Sequence, residues 1–229
     1  MYRHTAGKAI MITSPVVTVE KLTQIGERIQ TFLNTQTEIM AANTIASPRA
    51  VGDAMQSLLE QHFDQILQGD IKEYSKDFAR RAMADIAFTD IEDFYHVVDV
   101  KTHRLDTAFN MPNLTSVERL TRFYENDKNY FDLLLISYSV SGLSLKIEKV
   151  QFTPIENLKW DCLTIGAPGW GQIQIANSNN VRTDHSLTRK EWMIQLCDVM
   201  LQFYPHEISK INSRISHFKK VKEYWLDKA

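Results

Sequence analysis

Two aspartates and one lysine stand close together in two apolar stretches: Asp85, and then Asp99 and Lys101 in the run Asp99-Val100-Lys101. Both stretches are rich in β-branched and aromatic residues, which predicts two strands. Side chains at i and i+2 of a strand point to the same face, so Asp99 and Lys101 are expected to project together. The acidic stretch Asp90–Asp93 predicts a hairpin turn, which would bring Asp85 alongside them.

Two carboxylates beside one ammonium group are costly to bury without a compensating function. A magnesium ion would relieve the carboxylate repulsion, because Mg²⁺ typically binds one or two carboxylates together with phosphate oxygens. The lysine could then hold, or help to deprotonate, a water in line with a phosphorus atom, while the metal neutralises charge on the phosphate. The alternative is a surface ion pair on an exposed strand face. The residues alone leave both interpretations open.

The elements around these residues can be predicted from periodicity. Apolar residues at helical spacing predict a helix over Thr18–Met40, and Ser47-Pro48 opens a second one. Further strands are predicted over Tyr130–Val140, Leu143–Phe152 and Gln172–Ile175, with Ser141-Gly142 as a tight turn. This order indicates an α/β fold in which one central mixed sheet is flanked by helices.

The C-terminal quarter is predicted to be helical. Thr188-Arg-Lys-Glu191 has the form of a capping box, and Pro205 is expected to end the helix that follows. A last helix should bury one apolar side, formed by Ile208, Ile211, Ile215, Phe218, Val221 and Trp225. We expect one domain over 1–229, with a helical arm at 1–45 as a candidate for dimerisation, a core at 46–180 and C-terminal helices at 181–229.

Composition restricts the function classes. The net charge of −2 argues against a protein that coats nucleic acid non-specifically, although a site-specific DNA enzyme needs positive charge on one face only. Lys210, Arg214, Lys219, Lys220 and Lys222 could form such a face or a merely solvated one. The two cysteines favour a reducing cytoplasm, and the N-terminal apolar stretch is too short to span a bilayer, so no membrane partner is expected.

The chain resembles the PD-(D/E)xK nuclease superfamily, and within it the type II restriction endonucleases, from about Ser47 to the C-terminus. The segments that carry the resemblance follow in order: Ala84–Phe88, Phe94–Thr102, Pro112-Asn113, Phe131–Leu133, Gln172–Ile175 and Thr188–Trp192. The resemblance implies a restriction-endonuclease-like fold in a bacterial or archaeal cytoplasm. It also implies a homodimer that cuts double-stranded DNA at a short site with Mg²⁺ and leaves 5′-phosphate ends.

The resemblance also implies roles for individual residues. Asp85 and Asp99 would be metal ligands, and Lys101 would position the attacking water. Many members carry a glutamate on the preceding helix, where this chain has Gln56. Asp53 and Glu60 are nearby acids that could substitute for it.

DNA-reading residues are expected after the catalytic lysine and in the later strand and loop. Asn113 matches a base-contacting asparagine of the family, and its amide can both donate to and accept from a purine edge. Asn110 stands beside it, and turn chemistry is the alternative for both. Further candidates are Gln172 and Gln174, which could instead satisfy buried polar neighbours, and Asn177, Asn179 and Arg182 in the following loop.

Two other functions remain open at this point. One is a structure-specific repair nuclease or junction resolvase of the same fold. The other is a DNA-binding protein of this fold that has lost catalysis, which intact Asp85, Asp99 and Lys101 argue against. The recognition sequence is not readable from the residues.

Overall fold

The computed structural model describes residues 13–36, 47–74, 84–142 and 144–228. In chain order its helices are α1 (Val19–Thr35), α2 (Pro48–Ile66), α3 (Val117–Phe123) and α4 (Arg189–Leu226). Its strands are β1 (Ile71–Tyr74), β2 (Ile86–Asp90), β3 (Tyr95–Arg104), β4 (Asn113–Ser116), β5 (Asn129–Ser141), β6 (Ser144–Pro154), β7 (Leu163–Gly166) and β8 (Gln172–Ile175).

These residues divide into two compact units. The first unit contains the described residues up to Asn110 together with Arg119–Ile155, and the second contains Met111–Glu118 together with the residues from Glu156 onward.

The first unit is built on a five-stranded mixed sheet with the order β1-β2-β3-β5-β6. β3 and β5 are parallel, whereas the other neighbours are antiparallel. Helix α1 packs against β6 and helix α2 against β3, with a shared apolar core that includes Ile29, Met55 and Phe63. A Cβ atom at Gly26 of α1 would lie 3.0 Å from the Val150 carbonyl oxygen, so this glycine permits the close approach of helix and strand. The predicted α/β class with a central mixed sheet is confirmed.

The second unit contains a separate three-stranded antiparallel sheet with the order β4-β8-β7. The expectation of one sheet is therefore wrong. The predicted strands include neither Asn113–Ser116 nor Leu163–Gly166. These two strands are only four residues long, too short to show a clear alternation.

Helix α4 begins as predicted. Thr188 accepts from the Glu191 backbone N–H, and the Glu191 side chain accepts from the Thr188 N–H, which completes the capping box. The Trp192 indole N–H donates to the Leu158 carbonyl oxygen at 2.9 Å, and the Trp192 ring stacks on Trp160. These contacts fix the start of α4 on the second unit.

Two predictions about the C-terminal region are wrong. Helix α4 continues through Pro205, which removes only one backbone donor, so the expected pair of helices is one helix of 38 residues. The side expected to be buried is exposed at Ile208, Ile211, Ile215, Phe218 and Trp225, and half-buried at Val221. Periodicity identifies an apolar stripe but does not say what covers it.

The described residues cover only part of the predicted N-terminal helix and arm. Helix α1 begins at Val19 with Thr18 as its N-cap and ends at Thr35. Residues 37–40 of the predicted helix, and 1–12 and 37–45 of the expected arm, lie outside the described residues. Among the helices that the structure describes, none combines the length and the apolar character needed to cross a bilayer.

Candidate active site

The β2–β3 hairpin positions the three residues expected to carry chemistry. Ile86 pairs with Val98, and the Asp85 backbone N–H donates to the Val98 carbonyl oxygen at 3.0 Å, so Asp85 enters the hairpin beside Asp99. The turn is held by Asp90, whose carboxylate accepts from the backbone N–H groups of Glu92 and Phe94. The predicted hairpin is confirmed.

Asp99 is the more deeply buried of the two aspartates. It is 5% exposed, and its Oδ1 accepts from Lys101 Nζ at 2.7 Å. Its other oxygen, Oδ2, is buried and has no hydrogen-bond partner among the described residues. Burial raises the pKa of Asp99 to about 7, with a further contribution from the charge of Asp85, against the lowering effect of Lys101. The unpartnered oxygen of such a carboxylate can bind a cation.

Asp85 is held by two donors. Its Oδ2 accepts from the Val100 backbone N–H at 2.8 Å, and its Oδ1 from Gln56 Nε2 at 3.1 Å. Burial raises the pKa of Asp85, and the charge of Glu60 adds to this rise. The Val100 N–H, Lys101 and the Gln56 amide act in the opposite direction. Asp85 and Asp99 thus both have raised pKa values, as expected of neighbouring carboxylates that share a partly desolvated site.

Helix α2 contributes Gln56 and Glu60 to the edge of the site. Gln56 Nε2 donates to Glu60 Oε1 at 2.9 Å as well as to Asp85, so one amide connects two carboxylates. Asp53, the other candidate for a third acid, is exposed on α2. The helix lies close to the strand because Gly52 has no side chain: a Cβ there would be 3.0 Å from Thr102 Oγ1.

The donor set can be tested against the implied magnesium ion. The buried, unpartnered Oδ2 of Asp99 and the nearby carboxylate of Asp85 are hard oxygen ligands of the kind Mg²⁺ prefers. Within the described residues, no group of three or more histidine, cysteine, aspartate or glutamate side chains is arranged to hold a metal. A pair of carboxylates suits an ion that takes its remaining ligands from water and phosphate. The residues present therefore fit the ion.

The DNA-reading candidates fall mainly in the second unit. Gln174 Nε2 donates to Asn113 Oδ1 at 2.5 Å, because β4 and β8 place these two residues opposite each other. Gln172 shares the half-buried face of β8 with Gln174, and Ile173 and Ile175 fill the buried face. The structure therefore brings Asn113 and Gln174 together as one amide pair on a sheet face.

The remaining candidates are separate from this pair in their contacts. Asn177 caps a short 3-10 turn by accepting from the Asn179 N–H at 3.0 Å, which is turn chemistry. Arg182 is exposed and forms an ion pair with Asp161 at 3.1 Å. Asn177, Asn179 and Arg182 line a common surface cavity of about 550 Å³. Asn110 is half-buried in the segment after β3, in the first unit.

A second cluster of titratable groups lies in the core of the first unit. His96 Nδ1 lies 2.7 Å from Asp132 Oδ2, and His96 Nε2 lies 3.0 Å from the hydroxyl oxygen of Ser14, which also donates to Asp90. These distances resemble a hydrolytic Ser-His-Asp arrangement, but all four side chains are fully buried and no substrate can reach them. Burial lowers the pKa of His96, yet Asp132 and Asp90 outweigh it and the net shift is upward.

The burial of His96 identifies it as a structural residue. The sequence gives no signal for the role of Ser14, because a serine before a proline does not indicate a contact with residues 76 and 82 positions away. The protein-family models and the curated proteins contain no significant match to this chain.

Proposed function

We propose that this chain is a Mg²⁺-dependent endonuclease of the type II restriction kind, with a restriction-endonuclease-like fold, that hydrolyses phosphodiester bonds of double-stranded DNA. The observation that carries the proposal is the hairpin site. There, Lys101 holds one oxygen of a buried aspartate whose other oxygen has no partner in the described part of the chain, and Asp85 adds a second carboxylate beside it. A divalent cation would offset the charge of this pair and take further ligands from a phosphate.

Each residue has a distinct role in this proposal. Asp99 Oδ2 and a carboxylate oxygen of Asp85 bind the ion, which neutralises charge on the phosphate and on the departing oxygen when it is bound. Lys101 Nζ holds the attacking water by donating to it, and its positive charge favours loss of the water proton to solvent. The water oxygen bonds to phosphorus, the bond from phosphorus to the 3′ oxygen breaks, and the 3′ oxygen takes up a proton. The products are a 5′-phosphate and a 3′-hydroxyl.

Gln56 and Glu60 support the site from α2. Because the Gln56 amide donates to Asp85, it holds that carboxylate in place and partly compensates its charge. Glu60 raises the pKa of Asp85 through its charge, and the Glu60 carboxylate itself accepts from the Gln56 amide. Glu60, not the exposed Asp53, is thus the third acid that can influence metal binding.

Site selection would be the task of polar side chains in the second unit. Asn113 and Gln174 present paired amides, which can donate to and accept from a purine edge in the major groove. Cutting both strands at a near-palindromic site calls for two copies related by a two-fold axis, so the proposal includes a homodimer.

Incubation of the purified chain with plasmid DNA tests this function. We expect discrete fragments in the presence of Mg²⁺ and none in EDTA, and sequencing the fragment ends will give the recognition site and the stagger. Cutting confined to branched DNA would instead identify a junction resolvase. Binding without cutting in Mg²⁺ would identify a DNA-binding protein that has lost catalysis. Neither of the last two results is compatible with the proposal.

A further inference from the structure

Helix α4 carries a continuous apolar stripe on its exposed side. The stripe contains Leu201, Tyr204, Ile208, Ile211, Ile215 and Phe218, at alternating spacings of three and four residues. Ile194 and Trp225 lie seven residues beyond the two ends of this run, with Cys197 and Lys222 at the intervening positions. The eight apolar side chains of this stripe, from Ile194 to Trp225, are between 40% and 72% exposed, whereas Trp192, Leu196 and Met200 on another side of the same helix are buried. Tyr204 borders the helix's own unit, because its hydroxyl donates to the Trp170 carbonyl oxygen at 2.7 Å. The helix therefore has one face that packs on its own unit and a second, largely apolar face that the described residues leave exposed.

The period of the stripe indicates what that second partner is. Apolar residues that repeat every 3.5 residues form the a and d positions of a coiled coil, in which two helices pack side by side. A helix that packs on a globular core usually has a broader stripe with a period of 3.6 residues. With Leu201, Ile208 and Ile215 at a positions and Tyr204, Ile211 and Phe218 at d positions, the stripe is a narrow seam that suits another long helix. We call it the α4 seam.

The charges beside the α4 seam fit a second copy of the same helix in antiparallel orientation. When Ile208 packs against the partner's Ile211, Asp198 faces the partner's Lys219, and Glu207 faces the partner's Arg214. Within its own helix the Glu207 carboxylate also pairs with Lys210 at 2.7 Å, so the partner's Arg214 would be its second cation. The two-fold axis repeats each pair, giving four pairs of opposite charge, and residues flanking a seam determine orientation in this way. In the parallel arrangement, Arg214 would face the partner's Lys219, and Lys222 would stand in the seam opposite the partner's Lys222.

We propose that two copies of this chain associate through the α4 seam as an antiparallel coiled coil. The layers are Ile208 on the partner's Ile211, Tyr204 on the partner's Ile215 and Leu201 on the partner's Phe218. The inference rests on α4 alone and does not depend on the proposed nuclease activity. It assigns dimerisation to the C-terminal helix and not to the N-terminal arm that the sequence had suggested.

The oligomeric state of the full chain tests this interface. Sedimentation equilibrium should give a dimer for the wild type and a monomer for Ile211→Glu, which places charge in the seam. Ser213→Glu adds the same charge on the outer face of α4 and should remain dimeric. Unchanged circular dichroism will show that each variant is folded. A monomeric wild type, or a dimeric Ile211→Glu, would overturn the proposal whether or not the chain cuts DNA.

Charge reversal tests the orientation. Arg214→Glu should weaken the dimer several-fold because it places glutamate opposite the partner's Glu207, and Glu207→Arg should weaken it in the same way. The double variant should restore wild-type affinity, since both pairs are then re-formed with reversed signs. Tighter association of the Arg214→Glu variant is the result expected of a parallel dimer, where the new glutamate faces the partner's Lys219, and it would exclude the antiparallel arrangement.

A distance between the two copies gives an independent reading. A spin label at Tyr224→Cys, in a background with the exposed Cys197→Ser, reports the separation of the two helix ends. From the helical rise, the antiparallel arrangement places the labels about 40 Å apart, and a parallel arrangement about 20 Å or less. The short distance, or no dipolar signal from a folded chain, would contradict the inference.

Discussion

Asp99 is the residue that most clearly separates a functional site from a structural ion pair. A structural pair gains by using both carboxylate oxygens, because a buried acceptor without a donor is costly. In Asp99, one oxygen instead accepts from Lys101, and the other is buried with no partner among the residues that the structure describes, beside a second carboxylate. This cost favours the protonated form of the carboxyl group and so raises the pKa of Asp99. A cation that binds Asp99 Oδ2 would remove much of it.

The cost should be visible in the pH dependence of stability. The pKa of Asp99 rises from 3.8 to about 7 on folding, so the folded state holds its proton more tightly and loses stability as pH increases through this window. Asp99→Asn removes the titration. In EDTA, the variant should therefore gain on the order of 2 kcal/mol relative to the wild type between pH 5 and pH 8, measured by urea unfolding.

Asp64→Asn, an exposed change on α2, is the control and should show no such gain. Addition of Mg²⁺ at pH 8 should stabilise the wild type and the control but not Asp99→Asn. An equal difference between Asp99→Asn and the wild type at both pH values would contradict the assigned burial cost.

Gln56 offers a second test at the scale of one residue. Gln56→Glu replaces a donor to Asp85 with a further carboxylate, so the metal-free chain should lose about 1–3 kcal/mol of unfolding free energy. Because the added charge favours a cation, Mg²⁺ should recover more stability in this variant than in the wild type. Thermal unfolding with and without Mg²⁺ measures both effects. Gln61→Glu makes the same change on the exposed side of α2, and a loss as large as that of Gln56→Glu would show that Asp85 is not involved.

At the scale of elements, local patterns predicted the hairpin well. β2 and β3 each carry several β-branched or aromatic residues, and an acidic turn separates them. These local features are enough to predict that the two strands pair. The role of Gln56 depends on α2 lying over β3 at Gly52, a long-range contact that no local pattern contains. The same limit explains β4, which is too short to be recognised alone and exists because β8 pairs with it.

Pro205 shows how a local rule can be overruled. The proline was expected to end a helix, but α4 continues through it. The proline still lacks an N–H for the Leu201 carbonyl oxygen, and its ring crowds the preceding turn. Pro205→Ala should therefore stabilise the chain by about 1–3 kcal/mol in urea unfolding. His206→Ala, at the next exposed position, is the control, and an equal gain there would show that the proline costs nothing.

At the scale of the whole molecule, the candidate functions are divided between two units. The first unit holds Asp85, Asp99 and Lys101, and the second holds Asn113 and Gln174. The proposed cutting and reading functions should therefore be separable by substitution. The sequence identified these residues through resemblance, but the division into units became visible only in the pairing of β4 with β8.

Asn113→Ala should affect discrimination between sites and leave the cutting chemistry intact. If the Asn113 amide makes a bidentate contact with a base, its loss costs about 1–3 kcal/mol, which corresponds to a weaker preference for the cognate site. Competition between cognate and singly altered DNA sites measures this preference. Asn180→Ala, another exposed asparagine of the second unit, is the control. Unchanged preference in Asn113→Ala would exclude direct reading by this residue.

The most direct test of the central claim is a comparison of plasmid cleavage by Lys101→Ala and by Lys149→Ala, an exposed lysine on β6. Lys101→Ala should abolish cleavage in Mg²⁺ while it retains DNA binding, measured with Ca²⁺ in place of Mg²⁺, because the lysine acts on the attacking water. Lys149→Ala should cut as the wild type does. Undiminished cleavage by Lys101→Ala would contradict the account of this site.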